Sequence, residues 1–404
     1  MLSFQQAREK VIEVAGARRG ARASEAVELD AALGRVLAEE IAADRDYPPF
    51  DRATRDGFAV RAADLARLPA ELRIIGEIKA GDTFRGGVGA GECAQIMTGA
   101  AVPPGADAVV MIEHTRPAAS RVAFERPAER GQNIVPRGSE AKAGQALLQA
   151  GTRLGYAELA LAAQVGRPRV NVFARPRVAI LSTGDEVVGV DEQPGPFQIR
   201  NGNSVSLAAQ VRLAGAEPVV LDNAPDRIAE LRARIEQGLQ ADLLVLTGGV
   251  SMGKYDLVEV VLRELGAEFF FDAVAIRPGR PGVFGVCRDK LVFGLPGNPV
   301  STMVTFELFV LPALDLLSGA APRPPAFLRA KLAAPVRQKT ALTHFLPARL
   351  TWPGGEPVVC ELPWQGSGDI VALAQANCFL VVHADCLELS AGDWVDVLPR
   401  RDIL

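Results

Sequence analysis

Between Arg177 and Leu317, short apolar runs alternate with amphipathic segments, and this alternation constrains the fold more than any other feature of the chain. The strand-like runs are RVAIL, PVVLD, DLLVL and KLVFGL, and the helix-like segments are NSVSLAAQVRLAG, RIAELRARIEQGL, LVEVVLRELG and VSTMVTFELFVLPALDLL. Strands made almost entirely of Val, Leu and Ile are typical of a parallel sheet covered by helices on both faces. The pattern therefore predicts a central doubly wound parallel α/β sheet domain, which we place at residues 173–322.

The remaining regions predict a multidomain α/β protein, and a length of 404 residues suggests roughly two to four domains. Residues 1–45 and 141–172 indicate a helical N-terminal domain, with helices predicted over the first sixteen residues, over 24–41 and within 143–166. Ser3 and Gln6 have the spacing of a capping box at the first helix. Short β-type runs between turns predict an inserted β-rich domain at 46–140. After the Pro-rich SGAAPRPPAF, residues 323–404 predict a small β-barrel or sandwich.

Composition excludes several classes of protein. A net charge of −4 argues against a broad nucleic-acid surface, and no run approaches the ~18 consecutive apolar residues of a membrane span. The five cysteines are scattered without a CxxC, which favours a reducing, cytoplasmic setting. Only three histidines occur, and His383 with Cys386 is the one close pair, so a metal site is expected to use oxygen ligands.

Glycine-containing segments follow the predicted strands at the sheet edge where ligands bind in open α/β folds. They are STGDE at 182–186, TGGVSMGKYD at 247–256 and LPGNPVS at 295–301. Glycine allows backbone N–H groups to approach an anion, and a helix N-terminus adds partial positive charge. Ser251 and Ser301 are predicted as N-caps and hydroxyl donors. The same glycines also suit ordinary strand-to-helix turns, and the absence of GxxxxGK[ST] and GxGxxG disfavours a common ATPase or dehydrogenase.

Carboxylates follow the same strands. Asp185 and Glu186 come after the first strand, Asp222 or Asp226 after the second and Asp256 after the third. Mg²⁺ commonly binds one or two carboxylates together with substrate phosphates, so these positions are candidate ligands. A lone Asp at a helix start is also a common N-cap, which leaves each position open.

Two further motifs bring charge and glycine into turns. In RPGRP, Arg277 and Arg280 are placed so that two guanidiniums converge on one oxyanion, although a solvated surface turn has the same composition. In the β-rich insertion, the turns DRATRDG at 51–57 and MTGA at 97–100 combine charged groups, hydroxyls and glycine, and they suit ordinary hairpins equally well.

Six motifs in this order resemble the molybdopterin molybdenumtransferase family, to which the C-terminal domain of gephyrin is also similar. The motifs are PPFDRATRDGFAVR, IMTGAAVPPGADAVV, STGDE, TGGVSMGKYD, AIRPGRPGVFG and GLPGNPVS. The resemblance covers nearly the whole chain. It implies a homodimeric enzyme that takes adenylylated molybdopterin and molybdate, inserts molybdenum at the dithiolene and releases AMP, with a divalent cation, typically Mg²⁺.

The resemblance also implies a set of functional residues. The catalytic ones would be Asp56, Thr98, Glu186 and Asp256. The substrate-binding ones would be Gly248, Gly249, Ser251, Gly253, Arg277, Arg280, Pro296, Gly297, Asn298, Pro299, Ser301 and Ser367. The metal-binding ones would be Glu140, Glu186, Asp226 and Asp256. No nucleic acid and no membrane are expected as partners.

The chain departs from the family pattern at a few positions. Arg277 and Arg280 stand where relatives often carry Lys, and Glu140 stands where they often carry Asp. Relatives often have the motif Phe-x-Arg near Phe345. In this chain Pro347 occupies the position of the arginine, and the nearest arginine is Arg349. A preference for tungstate over molybdate therefore stays open. So do three other functions: a molybdopterin adenylyltransferase, a gephyrin-like non-catalytic scaffold and a generic sugar- or nucleotide-binding protein.

Overall fold

The computed structural model describes residues 1–18, 22–82, 84–249 and 257–403. The centre of the protein is a six-stranded sheet. Across the sheet, the strands are Glu217–Val220, Arg177–Ser182, Leu243–Thr247, Lys290–Leu295, Pro281–Cys287 and Glu268–Ala273. The first four are parallel, as their uniform apolar composition predicts. Their carboxyl ends therefore meet at one edge of the sheet.

The prediction of a wholly parallel sheet is wrong at one edge, where two antiparallel strands extend it. Pro281–Cys287 and Lys290–Leu295 form a hairpin, and its two turn residues, Arg288 and Asp289, have φ values of 48° and 63°. Such turns usually contain Asn or Gly, so this Arg-Asp pair carries no clear turn signal. The strand Glu268–Ala273 was likewise not predicted.

Helices cover both faces of the central sheet. Gly202–Leu213, the segment 299–317 and the first helix, Phe4–Ala17, pack on one face. Ile228–Gly238 and Leu257–Glu264 pack on the other. The first helix confirms its prediction in detail, because Ser3 and Gln6 form both hydrogen bonds of a capping box.

The segment 299–317 consists of the α-helix Pro299–Thr305, a π-helical turn at Phe306–Val310 and the α-helix Leu311–Leu317. Asn298 occupies its N-cap position, so the prediction of Ser301 as an N-cap is wrong: Ser301 lies inside the helix and is buried. By length and composition the segment is apolar enough to cross a membrane, but 83% of its most apolar window is buried inside the protein. That burial is typical of a core helix.

The region near the N-terminus is less helical than predicted. No α-helix forms over 24–41; instead Ser24–Glu28 is a strand paired with Arg169–Phe173, followed by a short 3₁₀ helix at Leu29–Ala31. Buried Ala32, Val36, Leu37 and Ile41 have helix-like spacing, but Gly34 has a φ of +75° and breaks the helical path. Within 143–166 only Tyr156–Gln164 is helical, and Ala146–Leu148 pairs with Ile41–Ala42.

Residues between these paired strands form a second six-stranded sheet, the insertion sheet. Across it, the strands are Ala108–Met111, Gly57–Val60, Glu92–Ile96, Ala70–Ile78, Arg121–Phe124 and Thr115–Ala118. Short 3₁₀ turns occur at Ala62–Leu65 and Ile112–His114, and Arg52–Ala53 pairs with Ile134–Val135. The chain thus leaves the N-terminal region after residue 42 and returns to it at residue 146.

The predicted C-terminal barrel is confirmed. Five strands close on themselves in the order Thr343–Thr351, Val358–Glu361, Leu328–Leu332, Trp394–Pro399 and Cys378–Val382. Smaller elements are the helix Ile370–Gln375, the 3₁₀ turn Pro353–Gly355 and the pair Val336–Arg337 with Glu388–Leu389. Ile276–Arg277 from the sheet region pairs with Thr343 and His344, which joins the barrel to the central domain.

Candidate functional site

A cavity of about 420 Å³, here called the sheet cavity, lies at the carboxyl ends of the parallel strands. It is the position that an open parallel sheet predicts for a ligand. Its polar or glycine lining includes Ser182, Thr183, Glu186, Asn201, Asn203, Thr247, Gly248, Gly297 and Asn298. Three strand-end segments thus come together as the sequence predicts, although residues 250–256, with Ser251, Gly253 and Asp256, lie outside the described residues.

Close backbone packing shapes this cavity. Gly248 has a φ of +88°, and a Cβ atom there would lie 2.6 Å from the carbonyl oxygen of Thr183. A Cβ at Gly249 would lie 2.7 Å from Thr183 Oγ1, and one at Gly297 would lie 3.4 Å from the Cα of Gly248. Positive φ values and contacts shorter than 3.0 Å require glycine at Gly248 and Gly249, whereas the contact at Gly297 is an ordinary van der Waals distance.

Two asparagines that the sequence analysis did not single out hold the loops together. The side-chain amide of Asn203 donates to Thr247 Oγ1 at 3.0 Å and to the carbonyl of Gly297 at 2.7 Å. Asn201 caps the helix Gly202–Leu213 by accepting from the N–H of Ser204. An Asn directly before a predicted helix is a recognisable N-cap signal, so Asn201 was within reach of sequence reasoning.

One buried hydroxyl in the sheet cavity has no hydrogen-bond partner in the described part of the chain. Thr183 is 2% exposed, and its Oγ1 makes no hydrogen bond to any described residue. Buried polar atoms in proteins are nearly always hydrogen-bonded. Thr183 therefore offers a ligand in the cavity a hydrogen-bonding group that no described residue uses.

Three carboxylates lie together beside this cavity. Asp226 donates its backbone N–H to Asp185, and Glu186 lines the cavity itself. Burial, and then the negative charges of Asp185 and Glu186, raise the pKa of Asp226 above its usual range. Within the described parts of the chain, no three His, Cys, Asp or Glu side chains are arranged to hold a metal ion.

A second cavity, of about 1030 Å³ and here called the cationic cavity, lies between the central sheet and the barrel. Arg277 and Arg280 reach it from the RPGRP turn, and Arg337 and Lys339 reach it from the barrel. Arg337 is paired with Glu388 at 2.6 Å. The other three cations form no ion pair with a described residue, so they are available to an anion.

The barrel contributes more to this cavity than its sequence indicated. Pro347 and Arg349 do not line it, and the Arg349 guanidinium instead donates to the carbonyl of Gln375. Lys339 and His344 do line it, and neither was predicted because no motif surrounds them. His344 is 1% exposed and bonds Thr340 Oγ1 at 3.0 Å; burial, together with the charge of Arg277, lowers the pKa of its imidazole. Protonation of His344 is therefore less favourable than that of a free histidine.

One loop separates the two cavities. Asn298 lines both, Pro299 lines the sheet cavity, and Pro296 and Ser301 line the cationic cavity. The Asn298 side chain donates to Ser367 Oγ at 2.9 Å, which ties the loop to the barrel side of the site. The structure thus brings Ser367 and the predicted loop residues together.

The predicted residues of the insertion lie elsewhere. Asp56 accepts from the N–H of Thr98 at 2.6 Å and from its hydroxyl at 2.7 Å, and these two bonds lower the pKa of Asp56. Glu140 pairs with Arg52 at 2.8 Å. Asp56, Thr98 and Glu140 line neither cavity.

Family models match the chain in three successive parts. The MoeA N-terminal region (domain I and II) matches residues 2–166, the probable molybdopterin binding domain matches 179–316 and the MoeA C-terminal region (domain IV) matches 329–399. Together the three matches span most of the sequence.

Individual relatives agree with the family models. Molybdopterin molybdenumtransferase from Bacillus subtilis (strain 168) is 36% identical over 389 residues, which cover 94% of this chain and 90% of the relative. The same enzyme from Nostoc sp. is 36% identical over 392 residues, covering 93% and 88%. The crystal structure of molybdopterin biosynthesis MoeA protein from Pyrococcus horikoshii OT3 superposes with a TM-score of 0.80 at 28% identity, over 99% of this chain and 100% of that one. The predicted resemblance is confirmed: the chain belongs to the molybdopterin molybdenumtransferase family, a family of transferase enzymes of molybdenum cofactor biosynthesis.

Proposed function

We propose that the protein transfers molybdenum from molybdate onto adenylylated molybdopterin and releases AMP. The observation that carries this proposal is the loop 296–299, which borders a glycine-lined cavity on one side and a cation-lined cavity on the other. A reaction between a phosphate-bearing organic molecule and an inorganic oxyanion needs two such sites side by side.

The two cavities differ in the anions that they suit. Close-packed glycine loops and the buried Thr183 hydroxyl in the sheet cavity suit the phosphate groups of adenylylated molybdopterin. Arg277, Arg280 and Lys339, which have no acidic partner among the described residues, suit a dianion such as molybdate in the cationic cavity. The hydroxyls of Ser301 and Ser367 line the same cavity and supply uncharged donors to it.

We further propose that a divalent cation, Mg²⁺, is held beside the sheet cavity by Glu186 and Asp226, with Asp256 as a third candidate. The raised pKa of Asp226 supports this, because burial and then the negative charges of Asp185 and Glu186 disfavour its ionised form, and a bound cation would offset both effects. When bound, such an ion acts as a Lewis acid on a phosphoanhydride. Glu186 lines the cavity and is the carboxylate that faces the phosphates in this proposal. Glu140 fits less well, because Arg52 already pairs with it.

We also propose that the enzyme works as a homodimer in which the insertion of one subunit completes the site of the other. Asp56 and Thr98 form a hydrogen-bonded pair in the insertion but line neither cavity of their own subunit. Residues that a partner copy supplies to a shared site are expected to lie apart from the rest of that site within one chain.

The test is AMP release from adenylylated molybdopterin, measured by chromatography with and without molybdate. We expect release that requires molybdate and Mg²⁺, and loss of release on Glu186→Ala. Formation of adenylylated molybdopterin from ATP and molybdopterin without molybdate would instead identify an adenylyltransferase. Absence of any turnover in a folded protein would favour a scaffold.

A further inference from the structure

Glu361 is an acidic side chain in the wall of the cationic cavity that pairs with none of the cations there. It ends the barrel strand Val358–Glu361 and is partly buried. Its carboxylate accepts a hydrogen bond from Nε1 of Trp364 at 3.3 Å and forms no ion pair with a described residue. A carboxylate in an anion-binding cavity lowers the affinity for anions unless it is protonated, so the position of Glu361 is unusual for such a cavity.

The charge state of Glu361 decides what the cavity accepts. An ionised carboxylate repels a dianion nearby, whereas a carboxyl that carries a proton donates a hydrogen bond to it. Burial raises the pKa of Glu361, and the hydrogen bond from Trp364 acts in the opposite direction. The charged or titratable groups that share the cavity with Glu361 are Arg277, Arg280, Arg337 with its partner Glu388, Lys339 and His344. On the adjacent strand, the residue opposite Glu361 is Ala348, and Arg349 lies opposite Cys360.

Glu361 also has access to protons from a second direction. Together with Trp364 it also lines another pocket, of about 400 Å³, next to Ala334, Pro335 and the exposed Cys360. The Glu361 and Trp364 side chains thus form a wall shared by the two spaces. A proton can therefore exchange between Glu361 and solvent while an anion fills the cationic cavity.

We propose that Glu361 shares one proton with an oxygen of the oxyanion in the cationic cavity, and that this proton selects basic tetrahedral oxyanions over sulfate. One proton comes from solvent as the dianion binds and lies between a carboxylate oxygen and an oxyanion oxygen; no covalent bond of the oxyanion forms or breaks. Sulfate, the weakest base among the common tetrahedral dianions, accepts such a proton least readily. The inference deepens the proposed function, on which the choice of molybdate as the natural anion rests.

Binding of inorganic molybdate and sulfate, measured by calorimetry between about pH 6 and 9 in buffers of different ionisation enthalpy, tests this proposal. For the wild-type protein we expect uptake of up to one proton per molybdate, affinity that falls as the pH rises, and weaker binding of sulfate. Glu361→Gln keeps a donor but has no titrating proton, so the pH dependence should disappear and the preference for molybdate should fall about tenfold. Glu356→Gln is the matched control, because Glu356 lies in the same barrel, pairs with Lys331 and lines no cavity described above; it should behave as wild type.

A second variant serves if Glu361→Gln does not fold. Trp364→Phe removes the hydrogen bond that lowers the pKa of Glu361, so proton uptake should extend to higher pH. Unchanged proton uptake and unchanged selectivity in both variants would overturn the inference. That result is distinct from failure of the proposed function. If the proposed function were wrong, the wild-type protein would release AMP to the same extent with and without molybdate.

Discussion

At the scale of single residues, Gly248 shows how backbone conformation builds the sheet cavity. Its φ of +88° is unfavourable for any other residue, and an added Cβ would also meet the carbonyl oxygen of Thr183 at 2.6 Å. Gly266 has nearly the same φ, +86°, but no atom lies within 4 Å of the position of its Cβ. A substitution at Gly266 therefore causes backbone strain alone, whereas the same substitution at Gly248 causes backbone strain and a steric clash at the site.

We expect Gly248→Ala to lower AMP release by about 10–100-fold, because the backbone at Thr183 must move to admit the methyl group. Gly266→Ala should cost about 1 kcal/mol of unfolding free energy and leave AMP release unchanged. Steady-state turnover together with urea denaturation of both variants measures these effects. Equal turnover of the two variants would show that the close packing of these loops is not needed for the reaction.

Site residues were predictable where they follow a strand directly in the chain. Gly248, Gly297 and Asn298 each come within a few residues of a parallel strand, and the carboxyl ends of such strands must meet at one edge. Lys339 and Glu361 come from the barrel, and their place at the cationic cavity depends on how the barrel docks. No local pattern encodes that docking, so the sequence analysis could not find them.

At the scale of elements, the segment 299–317 connects the site to the interior of the protein. It begins at the loop that separates the two cavities and ends near Asp315, which is fully buried. Asp315 pairs with Arg153 from the N-terminal region at 3.0 Å and with Arg323 from the linker at 2.7 Å. Two other regions of the chain, the N-terminal region and the linker, are thus bonded to the last turn of this segment.

Asp315→Ala should lower the free energy of unfolding by about 3–5 kcal/mol, because it leaves two guanidiniums without their buried counter-charge. Thermal and urea unfolding followed by circular dichroism measure the change. Glu13→Ala removes one partner of the exposed pair with Lys10 and should leave stability within experimental error of wild type. If both variants unfolded at the same denaturant concentration as wild type, the buried ion pairs would contribute nothing to stability.

Predictions of elements succeeded where one period of hydrophobicity dominates. The four parallel strands and the first helix each have a single clear pattern, and they formed as predicted. Over 24–41 the spacing of buried residues mimics a helix, but pairing of Ser24–Glu28 with Arg169–Phe173 prevails. That pairing joins residues about 145 positions apart, and a local window of sequence does not contain it.

At the scale of the whole molecule, the chain keeps two groups of predicted site residues apart. Asp56 and Thr98 belong to the insertion, whereas Glu186 and the cations belong to the two cavities. In a two-fold symmetric dimer, a contact from the insertion of one subunit to the cavity of the other occurs twice, so each site draws on both chains.

Mixed dimers test this arrangement. Asp56→Ala and Glu186→Ala homodimers should both be inactive, because each lacks one residue in every site. When the two variants are unfolded, mixed in equal amounts and refolded, about a quarter of the wild-type sites should be restored, since half of the dimers are mixed and each has one intact site. AMP release measured against refolded single variants gives the result; no recovery from the mixture would place both residues in a site within one chain.

The loop 296–299 has a thermodynamic consequence for the enzyme. Only a few residues of this loop separate the two cavities. Its Asn298 side chain is hydrogen-bonded to Ser367, and its Gly297 carbonyl is hydrogen-bonded to Asn203. If a ligand in one cavity displaces this loop, the affinity of the other cavity for its own ligand changes by some factor. Thermodynamic linkage then requires the second ligand to change the affinity for the first by the same factor. The order in which the organic molecule and the inorganic anion arrive therefore cannot alter the overall stability of the ternary assembly, only the route by which it is reached.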